Sequence, residues 1–206
     1  MTQGENDWLV YENRLYAEGY RVVCGVDEAG RGPLAGDVYA AAVILPPGLM
    51  IDGLNDSKKL SEKKREALFD EITAKAAAYC VATASVEEID RLNILQATFL
   101  AMRRAVDGLK LRSDFVLIDG NQKPHTGLPE ETIIKGDACC ASIAAASILA
   151  KVSRDRYMKE LAVQYPQYAF EKHKGYGTKE HYARLAQYGI SPVHRQTFLK
   201  KWKSHE

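Results

Sequence analysis

Hydrophobic residues fall into short continuous runs of strand length and into longer stretches at helical spacing, and the two kinds interleave along the chain. Strand-like runs occupy residues 21–27 (RVVCGVD), 37–45 (DVYAAAVIL), 79–86 (YCVATASV), 114–120 (DFVLIDG) and 131–137 (ETIIKGD). Pro46-Pro47 closes the second of them. Helical spacing predicts a first helix over about residues 5–18, stopped by Gly19. A second follows Ser61 as N-cap and turns Leu68, Phe69 and Ile72 inward. A third runs over 94–108 and closes at Gly108. A long fourth covers 138–165, with alanine and serine crowding its first half and Pro166 at its end. Small side chains allow close backbone approach, so this half belongs against the sheet. The rest, around KHKGYGT and TKEHYARLAQYG, reads as a loop and short helices. Strands mixed with helices predict an α/β fold in a single domain over 1–206, with a core of about 20–165 and a helical C-terminal portion of about 166–206.

Composition narrows this picture only at a few points. A chain of 206 residues buries roughly 70% of its unfolded surface and needs neither disulfide nor metal to fold. Four cysteines, Cys24, Cys80, Cys139 and Cys140, lack zinc-ligand spacing and read as buried small apolar thiols in a reducing cytosol, a vicinal disulfide at Cys139-Cys140 being the lesser alternative. The opening MTQGENDWLV has no basic segment followed by an apolar one, and no apolar run reaches membrane-spanning length. These features predict a cytoplasmic protein. Charge changes the picture more. Residues 1–150 hold 16 Lys+Arg against 22 Asp+Glu, whereas 151–206 hold 12 against 5 and four of the five histidines. An acidic body beside a basic end suits a cation site next to a polyanion-binding surface; solvated charge on both parts is the ordinary alternative.

The candidate chemistry sits where apolar runs stop. Asp27, Asp119 and Asp137 each follow such a run beside a glycine or a turn, and Glu28 follows Asp27 directly. Strand ends of α/β sheets are where side chains from distant segments meet. Any one of these aspartates alone reads more readily as a cap or turn residue than as a ligand, and Asp137 could cap the long helix behind it. Together they repel unless protonated or held by cations. Oxygen-only ligation favours Mg²⁺ or Mn²⁺ over zinc. Two such ions about 3.5–4 Å apart stabilise both the attacking and leaving oxygens of phosphoryl transfer. One geometric obstacle stands. Adjacent strand residues face opposite sides, so Asp27 and Glu28 reach one site only if the strand breaks or twists at Ala29-Gly30.

The blocks GVDEAGRGPLAG, NDSKKLS, LIDGNQKP, IIKGDACCASIAAASILAKVSRDRYM, HKGYGT and GISPVHRQTF resemble, in that order, the motifs of bacterial type 2 ribonuclease H, the ribonuclease HII family. The resemblance runs from about residue 21 to 198. It implies a ribonuclease H-like mixed β-sheet flanked by helices, with a helical C-terminal portion. It implies metal-dependent cleavage, by two Mg²⁺ or Mn²⁺ ions, of RNA in RNA/DNA hybrids and on the 5′ side of ribonucleotides embedded in duplex DNA. The ends would be 3′-hydroxyl and 5′-phosphate, and the setting DNA replication and repair. Carried over by motif, Asp27, Glu28, Asp119 and Asp137 would be the catalytic, metal-binding carboxylates. Gly30, Arg31 and Gly32, with Tyr176, would recognise the ribonucleotide, glycine letting backbone approach the 2′-hydroxyl and Arg31 serving a phosphate. Without the resemblance, Tyr176 is an aromatic in a surface loop.

By the same resemblance Ser57, Lys58 and Lys59 would meet the nucleic-acid backbone, as would Ser142 and Lys151. NDSKKLS also carries its own physical signal, since hydroxyl, cations and free N–H groups at a helix entrance form a phosphate site. For Lys59 a solvated basic surface is the alternative. Arg154 and Asp155 read as either a structural ion pair or site residues. The chain departs from the family pattern at Asp37, where a proline is usual, at Cys139-Cys140, and in its basic end FLKKWKSHE. The expected protein is a monomer without membrane contact. Two other classes compete: a nucleic-acid-binding module without chemistry, disfavoured by acids beside phosphates, and a small-ester phosphatase, disfavoured by the lack of a phosphate-binding glycine fingerprint.

Overall fold

The computed structural model describes residues 8–54 and 57–203. Five strands form one mixed sheet in the order β3-β2-β1-β4-β5. They are β1 (Val23–Ala29), β2 (Val38–Ile44), β3 (Ala78–Ala84), β4 (Phe115–Asp119) and β5 (Glu130–Ile133). β1–β2 and β2–β3 are antiparallel; β1–β4 and β4–β5 are parallel. The helices are α1 (Val10–Ala17), α2 (Glu62–Lys75), α3 (Val86–Leu92), α4 (Ile94–Asp107), α5 (Ala141–Gln164), α6 (Phe170–His173), α7 (Lys179–Tyr188) and α8 (Lys200–Lys203).

Side-chain alternation divides β1 and β2 between two layers. Cys24, Val26, Ala40 and Ala42 pack with Ala97, Ala101 and Met102 of α4 on one face. Ala41 and Val43 pack with Ala144, Ala145 and Ile148 of α5 on the other. The small residues of α5 do bring it onto the sheet. A Cβ on Gly25 would lie 2.2 Å from the Ser142 carbonyl carbon, so β1 needs glycine where α5 crosses it.

Ser61 caps α2 by accepting from the Lys64 amide, and Leu68 and Ile72 are buried. Phe69 is half-buried, under the Arg156 guanidinium. The expected first helix starts later, at Val10, with part of the predicted span outside the described residues. Two elements differ in kind. Helix α3 occupies a stretch with too short an apolar pattern to announce itself; Ser85 and Glu88 close its first turn as a capping box, and the Asp37 carboxylate accepts from the Val86 amide. That is what the carboxylate of Asp37 does in this fold. The last strand ends at Ile133, four residues early, because Lys135 adopts a left-handed conformation (φ 58°) and a 3₁₀ turn follows at Gly136–Ala138.

The four cysteines are free thiols; Cys24 and Cys140 are buried as expected, whereas Cys80 and Cys139 are only half-buried. Among the described residues no helix is long and apolar enough to cross a membrane.

Candidate active site

β1 and β4 run parallel, with Val26 opposite Ile118. Asp27 and Asp119 are each one residue further on, so both emerge at the C-terminal end of neighbouring strands and on the α5 face. Asp137 arrives by another route. The Asp119 carboxylate accepts from the Gly136 amide at 2.7 Å, which holds the 3₁₀ turn against the strand end and delivers the next side chain to it. One carboxylate oxygen from each of Asp27, Asp119 and Asp137 lies within 4.8 Å of the others. Asp137 thus sits in a turn rather than at a strand end, and it is not the cap of α5. Glu12 of α1 takes that place, accepting from the Ser142 amide at 2.9 Å.

The electrostatics of the cluster are those of acids awaiting a countercharge. Burial first, and then the charges of Glu28 and Asp119, holds the Asp27 carboxyl well above the usual carboxylate range. Hydrogen bonds from Ser147 and from the Glu28 amide oppose this without overcoming it. Three hard oxygen donors at this spacing fit a divalent cation of the Mg²⁺ or Mn²⁺ kind, whose charge would oppose the shift.

Glu28 does not join the three aspartates. β1 is unbroken through Ala29 and keeps its pairing with β2, Glu28 opposite Ala40. Glu28 therefore points to the α4 face, where it lines a small cavity with Phe99, Met102 and Asp119. Its carboxylate meets the Arg31 guanidinium at 3.3 Å. At the strand end it also borders the main cleft. Alternation along the unbroken strand thus turns Asp27 and Glu28 to different faces, while both still line the one cleft.

That cleft, about 420 Å³, has two walls around Asp27. One wall is Gly30, Arg31, Gly32 and Tyr176, so the structure brings together every residue expected to read the ribonucleotide. Tyr176 is 45% exposed, its ring edge 3.6 Å from where a Cβ on Gly32 would stand. Gly30 has φ +96°, and a Cβ there would fall 2.0 Å from Arg154 Nε, so its glycine is required by packing behind the loop. Gly32 meets nothing closer than Tyr176.

The opposite wall holds Ser57, Arg65, Ser147 and Lys151. The hydroxyls of Ser57 and Ser147 lie 3.0 Å apart. Asp155, buried, accepts from Lys151 Nζ at 2.6 Å and faces Arg65 at 3.8 Å, so it fixes two cations at the cleft. Burial pulls the Lys151 ammonium down, and the Asp155 bond pushes it back.

Two expected residues are elsewhere. Ser142 is buried beneath α1, its hydroxyl donating to Glu12 at 2.7 Å, because the helix turn that carries it faces β1 rather than the cleft. Lys59 is exposed and outside the cleft lining. The side chain of Lys58 lies outside the described residues. Ser147 and Arg65 were missed. The signal for Ser147 was present, since Ser147, Lys151 and Asp155 repeat every fourth residue and share one face of α5.

Behind Tyr176 three buried imidazoles form a directed chain. His181 Nδ1 donates to the Tyr176 carbonyl at 2.9 Å, which leaves its Nε2 to accept from His194 Nε2 at 3.0 Å. His194 Nδ1 then accepts from the Ser191 amide and hydroxyl. His173 stacks on His181 at 4.4 Å, donates to the Tyr168 carbonyl and accepts from the Gly175 amide. Burial lowers all three, His181 and His194 to about 4.

Fold and site together define a ribonuclease H-like nuclease with an acidic cluster that could hold a metal ion. The family model for ribonuclease HII matches residues 24–203. Ribonuclease HII of Caldicellulosiruptor bescii is 54% identical over 200 residues, covering 97% of each chain. That of Albidiferax ferrireducens is 63% identical over 177 residues, 86% of each. Among solved structures, ribonuclease H2 from Pyrococcus horikoshii superposes with a TM-score of 0.73 at 27% identity, over 86% of this chain and 93% of that one. The chain belongs to the ribonuclease HII family. It is accordingly a metal-dependent ribonuclease, an endonuclease of RNA/DNA hybrids, and not a binding module without chemistry.

Proposed function

We propose that this cleft incises duplex DNA on the 5′ side of an embedded ribonucleotide, as well as cutting the RNA strand of hybrids, leaving 3′-hydroxyl and 5′-phosphate ends. The observation that carries the reading is the convergence of Asp27, Asp119 and Asp137 oxygens beside the Gly30-Arg31-Gly32 and Tyr176 wall. Asp27, Asp119 and Asp137 would hold two divalent ions, Mg²⁺ or Mn²⁺, with Glu28 at the rim, and the ions would supply charge stabilisation at the attacking and leaving oxygens. The protein's own part is positioning. The open backbone at Gly32 admits a sugar 2′-hydroxyl to main-chain hydrogen bonding, and the exposed Tyr176 ring offers that sugar a face. Arg31 on this wall, and Ser57, Lys151 and Arg65 on the other, supply donors for phosphates. Lys58 and Lys59 extend the same backbone contact.

We further propose that residues 1–206 work as one domain, a monomer acting in the cytoplasm in DNA replication and repair. The test is a labelled duplex with one ribonucleotide, incubated with Mg²⁺, Mn²⁺ or EDTA. Incision 5′ of the ribonucleotide with either ion, abolished by EDTA, is expected. Cleavage of hybrids alone would refute the embedded-ribonucleotide part of the reading.

A further inference from the structure

Two arginines lie wholly buried beneath the glycine-rich wall, Arg154 at 1% exposure and Arg195 at 0%. Among the described residues neither forms a salt bridge; both give their hydrogen bonds to carbonyls, apart from one contact of Arg154 with the Met158 sulfur. Arg195 donates from Nε to Gly36, from Nη1 to Arg31 and from Nη2 to Gly30, at 2.9, 3.0 and 2.6 Å. Arg154 donates from Nε to Asp37, from Nη1 to Lys174 and from Nη2 to Ala35, at 3.2, 3.1 and 3.1 Å. Burying two like charges side by side is costly, and apolar side chains would fill the space more cheaply. Arg195 bears the mark of that cost: burial, then the Arg154 charge, pulls its guanidinium down to about 9.

The reward is orientation. In a planar trans peptide the carbonyl and the following N–H point opposite ways. Turning the Gly30 and Arg31 carbonyls inward onto Arg195 therefore aims the Arg31 and Gly32 amides outward, towards the cleft that these residues line. Among the described residues neither amide has a protein acceptor. Arg154 ties this loop to the other reading element, through the Lys174 carbonyl two residues before Tyr176. Gly175 completes the tie by accepting from the Leu34 amide.

We propose that Arg154 and Arg195 are positioning residues that aim the Arg31 and Gly32 amides, and with them the Tyr176 loop, at the ribonucleotide of the substrate. This rests on the embedded-ribonucleotide reading above. The experiment compares single-turnover cleavage of a single-ribonucleotide duplex and a long RNA/DNA hybrid by wild type, Arg195→Lys and Arg195→Ala, the last with and without millimolar guanidinium. Thermal melts check folding. Arg195→Ala is expected to lose at least tenfold more on the single-ribonucleotide duplex than on the hybrid, through a raised KM, and guanidinium to restore the ratio. Arg195→Lys, which keeps the charge but not the fork, should show the same selective loss. Parallel losses on both substrates, or an unchanged ratio in Arg195→Lys, would overturn the inference. If Arg195→Ala fails to fold, Arg195→Lys decides alone. Wild type unable to cut the single-ribonucleotide duplex would instead refute the reading beneath it.

Discussion

Asp27 and Glu28 are consecutive residues that face opposite sides of one unbroken strand, Asp27 towards α5 with the aspartate cluster and Glu28 towards α4 with Arg31. Their substitutions should separate accordingly. In Asp27→Asn the loss of a buried, repelled charge should raise metal-free thermal stability while removing cleavage and the stabilisation gained from Mg²⁺ or Mn²⁺. Glu28→Gln should lose activity yet keep most of the metal-induced rise in melting temperature. Differential scanning fluorimetry across a metal titration checks both; identical responses would place Glu28 among the principal ligands.

Ser142 supplies a test in which stability and chemistry part company. Ser142→Ala removes a donor to a buried carboxylate and should cost about 1–3 kcal/mol, read as a lower denaturation midpoint with unchanged slope. The single-turnover cleavage rate should be unchanged. A fall in rate without a fall in stability would return Ser142 to the substrate.

Lys151 stands at the cleft and Asp155 holds it there. If its ammonium meets a phosphate, Lys151→Ala should flatten the plot of log affinity against log salt by about one unit. Fluorescence anisotropy with a non-cleavable duplex measures the slope, and an unchanged slope would leave Lys151 as support for Asp155 and Arg65.

The histidine chain predicts acid sensitivity of a definite sign. His181 and His194 titrate near 4 when folded and near 6.5 when unfolded, so below pH 6.5 the unfolded chain binds more protons. The stability they contribute is complete above pH 6.5 and is lost as pH falls towards 4. Nitrogen-15 spectra at pH 5.5 should show neutral rings for the two, protonated at Nδ1 in His181 and at Nε2 in His194. A charged imidazole at that pH would break the chain as drawn.

What could be read from the residues depended on whether the cause was local. The three aspartates announced themselves because apolar runs stop at them, and the alanine-serine half of α5 announced its packing because small side chains have one use there. Alternation along a strand also raised the objection to pairing Asp27 with Glu28: the strand stays unbroken and the two leave it on different faces, yet both border one cleft. Non-local causes were hidden. Ser142 looks like a polar residue beside the site until Glu12, 130 positions earlier, claims its hydroxyl. Gly30 reads as a glycine for substrate, whereas Arg154 on a distant helix is what excludes its Cβ. Arg154 reads as a partner for Asp155 or as a site residue, and Arg195 does not stand out in a basic segment, since no periodicity encodes the carbonyls that surround them.

On the function proposed above, the Asp27, Asp119 and Asp137 cluster cuts beside the ribonucleotide presented to the glycine-arginine-glycine wall. The most direct measurement maps, at nucleotide resolution, the products from a duplex DNA carrying one ribonucleotide, with wild type and Asp119→Asn in Mg²⁺. A single incision 5′ of the ribonucleotide with 3′-hydroxyl and 5′-phosphate ends is expected, absent in Asp119→Asn. Incision elsewhere, or undiminished cleavage by Asp119→Asn, would contradict it.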